Sequence, residues 1–261
     1  MHPLIARFLD FSAAVDALEK PARGQPLDAD EAALVAAAAA APKSRKAVLE
    51  AKGSKQPSPT AQQHLIVLAT RAATARLADD AELSAKLGAA RAALLEQGAG
   101  AEEAEGLLAQ AVLEESFGYD EDPDTFDAAF LAETLDGIRA MAAMTQDTVD
   151  EWLEAFARAG AAGERALRLK VAELVLEAAW GEGPQPITPE HIDEALEQLA
   201  EAVAGSEFPR AVALVTELLS ALAQRGVIGP TRLARLAHVA QSAAAAGPDE
   251  GQGDEEPDED E

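Results

Sequence analysis

Four histidines, His2, His64, His191 and His238, carry all the imidazole chemistry available to this chain, and cysteine is absent. Without thiols there is no thiol nucleophile, no disulfide and no thiolate-bound zinc. Imidazole metal chemistry in helical proteins needs partners at set spacing. Di-iron bundles use paired Glu-x-x-His motifs, and zinc peptidases use His-Glu-x-x-His. None of the four histidines stands in either pattern. His191 falls in a first helical turn and is expected to be exposed, while His64 and His238 read as surface or half-buried side chains. The Gly-x-Ser-x-Gly nucleophile elbow is missing, as are the two glycine-rich phosphate loops.

Two clusters still invite a chemical reading. Asp120, Asp122 and Asp124 occupy positions one, three and five of a calcium loop, but Thr125 stands where glycine is needed and Leu131 where a bidentate glutamate belongs. The segment reads instead as a solvated turn whose Asp124 or Thr125 caps the next helix. The stretch Arg232-Leu233-Ala234-Arg235-Leu236-Ala237-His238 resembles the arginine-then-histidine motif of HEPN-type ribonucleases, an all-helical family. That family usually has a polar residue directly after the arginine, and here it is Leu233. The resemblance covers seven residues and implies an alternative function, a small helical hydrolase or ribonuclease using Arg232 and His238. The competing reading is a helix with a cationic face that turns Leu233, Leu236 and Val239 to a core.

The elements that would position such residues are written in the composition. Close to a quarter of the 261 residues are alanine, in stretches rich in leucine, glutamate and arginine. These are the strongest helix formers. The formal charge is −26, and because Asp249 to Glu261 hold nine acids and no base, the remainder carries −17. A body of that sign repels phosphate backbones and anionic lipid, and favours a basic protein partner. No nucleic acid, membrane or cofactor is therefore expected. Asp10 and Asp16 interrupt the opening apolar stretch, and the uncharged run Ala32–Ala41 is half a membrane span. A cytoplasmic location is the expectation.

Leu4, Phe8, Phe11, Val15 and Leu18 recur at spacings of four and three, which predicts one amphipathic helix stopped by Pro21 and Gly24. Asp28 and Glu31 form a capping box opening a second helix through Ala41. Pro42, Gly53, Pro57 and Pro59, with Lys43, Arg45, Lys46, Lys52 and Lys55 between them, read as a basic linker holding a short helical piece over 45–51. Helices follow from Thr60. The segment Glu164 to Trp180 is apolar round most of its circumference, with a narrow polar stripe of Lys170, Glu173 and Glu177, and is expected to pack centrally. Thr188-Pro189-Glu190, Phe208-Pro209 and Gly229-Pro230-Thr231 mark three further starts about twenty residues apart.

The fold expected is all-α: an antiparallel helical array or irregular bundle, with a HEAT-like or TPR-like helix-pair solenoid as one form of it. The domain expectation is a helical pair over 1–41, a linker over 42–59, a main helical domain over 60–246 and a disordered acidic tail over 247–261. The function expected is a non-enzymatic protein-interaction module, an adaptor, scaffold or chaperone-like protein, that holds a partner segment in an apolar helical groove. No catalytic, cofactor or metal residue is assigned, and neither the partner-binding residues nor the oligomeric state can be read from one sequence.

Overall fold

The computed structural model describes residues 2–54, 56–117, 126–181 and 185–246. Among the described residues there are thirteen α-helices and no strand. The acidic calcium-like segment at 118–125 and the tail at 247–261 lie outside the described residues. The chain divides into two compact units, Met1–Met144 and Thr145–Glu261.

The first unit contains α1 (Pro3–Leu9), α2 (Phe11–Glu19), α3 (Ala29–Ala40), α4 (Pro42–Glu50), α5 (Pro59–Arg76), α6 (Ala81–Gln97), α7 (Ala101–Phe117) and α8 (Ala128–Ala142). The opening stripe is two helices rather than the expected one. The Asp10 carboxylate accepts from the backbone of Ser12 and Ala13, so it caps α2 and ends α1. Asp28 and Glu31 do form their capping box, with bonds of 2.9 Å and 3.1 Å. Arg7 of α1 and Lys20, which follows α2, both reach the buried Glu31 carboxylate, fastening the first three helices together.

The stretch 42–59, read as a linker, holds all of α4 and the first residue of α5. Pro42 takes the first position of α4, whose Ser44 and Val48 are buried, and α4 packs on α5 beside α3. Ser58 caps α5 ahead of Pro59. Pro42 and Pro59 are thus helix starts, where a missing N–H costs nothing, and Lys43, Arg45 and Lys46 ride on α4. Because α1 and α3 also pack on α5, residues 1–41 share a core with the helices beyond. That core holds Phe8, Leu34, Leu65, Leu68, Leu94 and Leu108, and it continues through Leu131, Leu135 and Ile138 of α8, which packs on α6 and α7.

The second unit contains α9 (Gln146–Arg158), α10 (Arg165–Trp180), α11 (Pro189–Ala202), α12 (Phe208–Gln224) and α13 (Pro230–Ala246). As its apolar circumference predicted, α10 is central and packs on α9, α11 and α12. Its stripe of Lys170, Glu173 and Glu177 is exposed. Val171, Val175, Leu196, Leu199, Leu214, Leu218 and Leu236 fill the core. Trp152, Phe156 and Phe208 are buried and Trp180 is half-buried.

One polar feature in this core has no counterpart in the sequence reading. Arg168, 5% exposed, donates from Nε to the Phe156 carbonyl at 2.9 Å and from a terminal nitrogen to Glu217 at 2.7 Å. Its guanidinium carbon lies 4.3 Å from the centre of the Phe156 ring. Glu217 also accepts from Arg210 at 2.9 Å, and Arg210 forks onto both oxygens of Glu164. Burial works to raise the Glu217 carboxyl, but hydrogen bonds from Arg168 and Arg210 outweigh it and hold the group below its ordinary range. A buried guanidinium is tolerated only when its donors are matched, and this network matches them while tying α9, α10 and α12 together.

Candidate functional site

Three of the four histidines make local structural contacts. His2 Nδ1 accepts from the Leu4 amide and starts α1, and burial holds this imidazole below its ordinary pKa. His64 shares a 3.0 Å hydrogen bond with Ser44, joining α5 to α4. His191, expected to be exposed, is half-buried because it completes a capping box with Thr188, each backbone N–H donating to the other's side chain. His238 is exposed on α13.

The structure does not bring Arg232 and His238 together. Arg232 is 5% exposed and donates to the Ile187 carbonyl at 2.7 Å, pinning the segment before α11. Six residues on a helix amount to about 120° of rotation and about 9 Å of rise. The arginine therefore faces the core while the histidine faces solvent. Among the described residues no group of three or more His, Asp or Glu side chains is placed to hold a metal ion. No helix among them is long and apolar enough to cross a membrane.

An apolar hollow on the first unit lies along α5, between α3 and α7. It has a volume of about 460 Å³. Each wall is one helical face. Ala33, Ala36, Ala37 and Ala40 come from α3 at spacings of three, one and three. Arg71, Thr74, Ala75 and Ala78 repeat that spacing along α5 and the turn that follows it. Leu87 and Arg91 of α6, with Leu108 and Ala109 of α7, close the far side, where Arg91 pairs with Glu105 at 3.2 Å. These positions share a face because residues three and four apart stack on a helix.

Alanine gives the hollow its form. A methyl group is enough to sustain the helix yet too small to fill the space above it, so Ala36, Ala40, Ala75 and Ala78 are exposed and leave a trough. Into that trough projects Arg71, half-buried and, among the described residues, without a hydrogen-bond or ion-pair partner. A guanidinium partly removed from water gains from any acceptor brought to it. The arrangement can hold an apolar surface and one carboxylate. Its other polar lining groups are Thr74, whose hydroxyl donates to the Thr70 carbonyl, and the Arg91–Glu105 pair.

Sequence reasoning expected a groove without locating it. The alanine spacing was legible in Ala33–Ala40, but alanine marks a helix equally well on a buried or an open face. Arg71 carried no signal, since its isolation depends on which carboxylates the fold brings near. No family model matches the chain, and neither a curated protein nor a solved structure matches it significantly.

Proposed function

We propose that this chain is a non-enzymatic helical interaction module, an adaptor or scaffold, whose first unit accepts an amphipathic helix of a partner protein in the α3–α5–α7 groove. What carries the reading is the pairing of an open alanine-walled trough with the uncommitted guanidinium of Arg71. Small residues allow two helix backbones to approach closely, and a guest helix inserts its large apolar side chains at spacings of three and four. A carboxylate on that guest would meet Arg71. The acidic body, at −26 overall, would attract a guest that is otherwise basic and speed the encounter.

Photo-crosslinking in the native cell tests this. A photoreactive phenylalanine at Ala40, on the rim, should capture one protein, and the adduct should disappear when Ala75→Trp fills the trough. The same probe at Glu197, on the exposed side of α11, should not capture that protein. Helical circular dichroism confirms that Ala75→Trp is folded. An adduct that persists with the trough filled, or equal capture from Glu197, would refute the groove.

A further inference from the structure

Charge is divided unevenly along this chain. Residues 1–76 hold ten Lys and Arg against seven Asp and Glu, a balance of +3, whereas residues 77–261 hold eleven against forty, a balance of −29. Within the first stretch the excess is concentrated. From Ala32 to Thr70 there are five bases, Lys43, Arg45, Lys46, Lys52 and Lys55, and one acid, Glu50. This span takes in most of α3, all of α4 and two-thirds of α5, three helices that pack on one another. No residue of α4 lines the α3–α5–α7 groove, so its outer face is a separate surface.

The cations of α4 point outward. Ser44 and Val48 are buried, while Lys43, Arg45 and Lys46 are exposed. Lys43 and Arg45 have no ion-pair partner among the described residues, and Lys46 meets Glu50 at 3.6 Å with both side chains well exposed. The acids of the neighbouring elements are already paired. Asp16 and Glu19 of α2 meet Arg23 and Lys52, and Asp28, Asp30 and Glu31 at the start of α3 meet Arg7, Arg76 and Lys20. Because α4 packs on α2, α3 and α5, more distant acids stand beyond a further helix. Packed helix axes are about 8–10 Å apart, and physiological salt screens charge over about 8 Å. The acidic sign of the whole chain predicts repulsion from anionic lipid, but the sign at this face is the opposite.

Lysine chemistry selects the occupant. Four of the chain's seven lysines lie in 43–55. Lysine is a hydrated point charge and is depleted at protein interfaces, which use aromatic and arginine anchors. Single-stranded nucleic acid needs aromatic stacking platforms, and residues 32–70 contain no Phe, Tyr or Trp. Beside the cations the exposed residues are small or neutral: Ala36, Ala39 and Ala40 of α3, and Thr60, Gln62 and Gln63 of α5. Such a face suits a broad anionic plane, and a cluster of basic residues on an amphipathic helix is what acidic lipid attracts. We propose that α4 docks this chain peripherally on an anionic lipid surface through Lys43, Arg45 and Lys46, with Lys52 alongside.

Pelleting of the full chain with sucrose-loaded vesicles tests the docking. Vesicles of roughly one-third phosphatidylserine in phosphatidylcholine should bind it, and pure phosphatidylcholine should not. Each base near such a surface changes partitioning about fivefold, so Lys43→Gln with Arg45→Gln should weaken binding about 25-fold. Arg158→Gln with Lys170→Gln alters the net charge equally at exposed positions of the second unit, and should change binding by less than about twofold. Binding should vanish in about 1 M salt, where screening acts over about 3 Å. Helical circular dichroism establishes that both double variants fold. No pelleting with the acidic vesicles, equal pelleting with both compositions, or equal losses in the two double variants would overturn the proposal. So would displacement from the vesicles by duplex DNA or polyuridylate at matched phosphate concentration, which would assign the face to nucleic acid.

Discussion

Gly160→Ala is the sharpest test of the Arg168 network, because the structure fixes even the sign of its effect in two backgrounds. A Cβ built at Gly160 would lie 2.6 Å from Arg168 Cδ and 3.1 Å from its Nε. The Arg168 side chain cannot swing aside cheaply, since its nitrogens are engaged by the Phe156 carbonyl and Glu217. Overpacking of this kind costs about 1–3 kcal/mol, and loosening one charged hydrogen bond adds about 1.5–3 kcal/mol if it breaks. Against this, Gly160 is not among the glycines with positive φ, so alanine fits its backbone and stabilises by about 0.4–1 kcal/mol through the unfolded state. The net expectation is a loss of about 1–2 kcal/mol.

In an Arg168→Ala background the obstructing atoms are gone, and Gly160→Ala should then be neutral or stabilising by about 0.4–1 kcal/mol. The coupling between the two positions is thus about 1–3 kcal/mol. Urea unfolding followed by tryptophan fluorescence suits the measurement, because the two tryptophans, Trp152 and Trp180, both lie in the second unit. With a urea slope of about 2 kcal/mol per molar, the middle of the usual range, the single variant should lower the midpoint by roughly 0.5–1 M. Equal destabilisation by Gly160→Ala in both backgrounds would refute the steric argument, as would stabilisation in the wild-type chain.

Other perturbations have equally definite signs. Thr70, 3% exposed on α5, has a hydroxyl without a hydrogen-bond partner, so the isosteric Thr70→Val should stabilise by about 1 kcal/mol in urea unfolding followed by circular dichroism. Arg232→Met should destabilise the second unit by about 1.5–3 kcal/mol through its lost bond to the Ile187 carbonyl, whereas His238→Ala, at an exposed site, should stay within about 0.5 kcal/mol. The Asp28 carboxyl is held down to about 2, first by its hydrogen bond from Arg7 and next by the Glu31 amide. Its contribution is therefore complete above the ordinary aspartate range near pH 4 and is lost as pH falls toward 2. Asp28→Asn keeps the cap but should flatten that part of the stability profile, and salt should shrink the difference because the pair is exposed.

What could be read in the sequence was whatever is decided locally. The caps at Asp28 and Thr188 are set by neighbours three residues away, and both helix starts stand where the spelling puts them. The break at Asp10 was hidden because the apolar stripe from Leu4 to Leu18 keeps helical spacing across it, while a competing carboxylate cap ends α1. The extent of α4 within 42–59 was hidden for a related reason. Prolines that begin α4 and α5 look the same as prolines that break a chain, and only the burial of Ser44 and Val48 tells them apart. Arg168 lay beyond any local reading, since its partner Glu217 is 49 residues distant.

The groove raises the same issue at the level of energy. Burying one methyl group is worth about 0.8 kcal/mol, so a face of alanines gains little when a neighbouring helix covers it and loses little when left open. A leucine-lined α3 would have driven closure; Ala33, Ala36, Ala37 and Ala40 do not. The same arithmetic limits what these alanines offer a guest. Most of the affinity must come from the guest's own large side chains and from the contact of its carboxylate with Arg71. Trimming the walls to glycine should then change binding far less than enlarging one of them, and removing the charge of Arg71 should weaken binding without altering the shape of the trough.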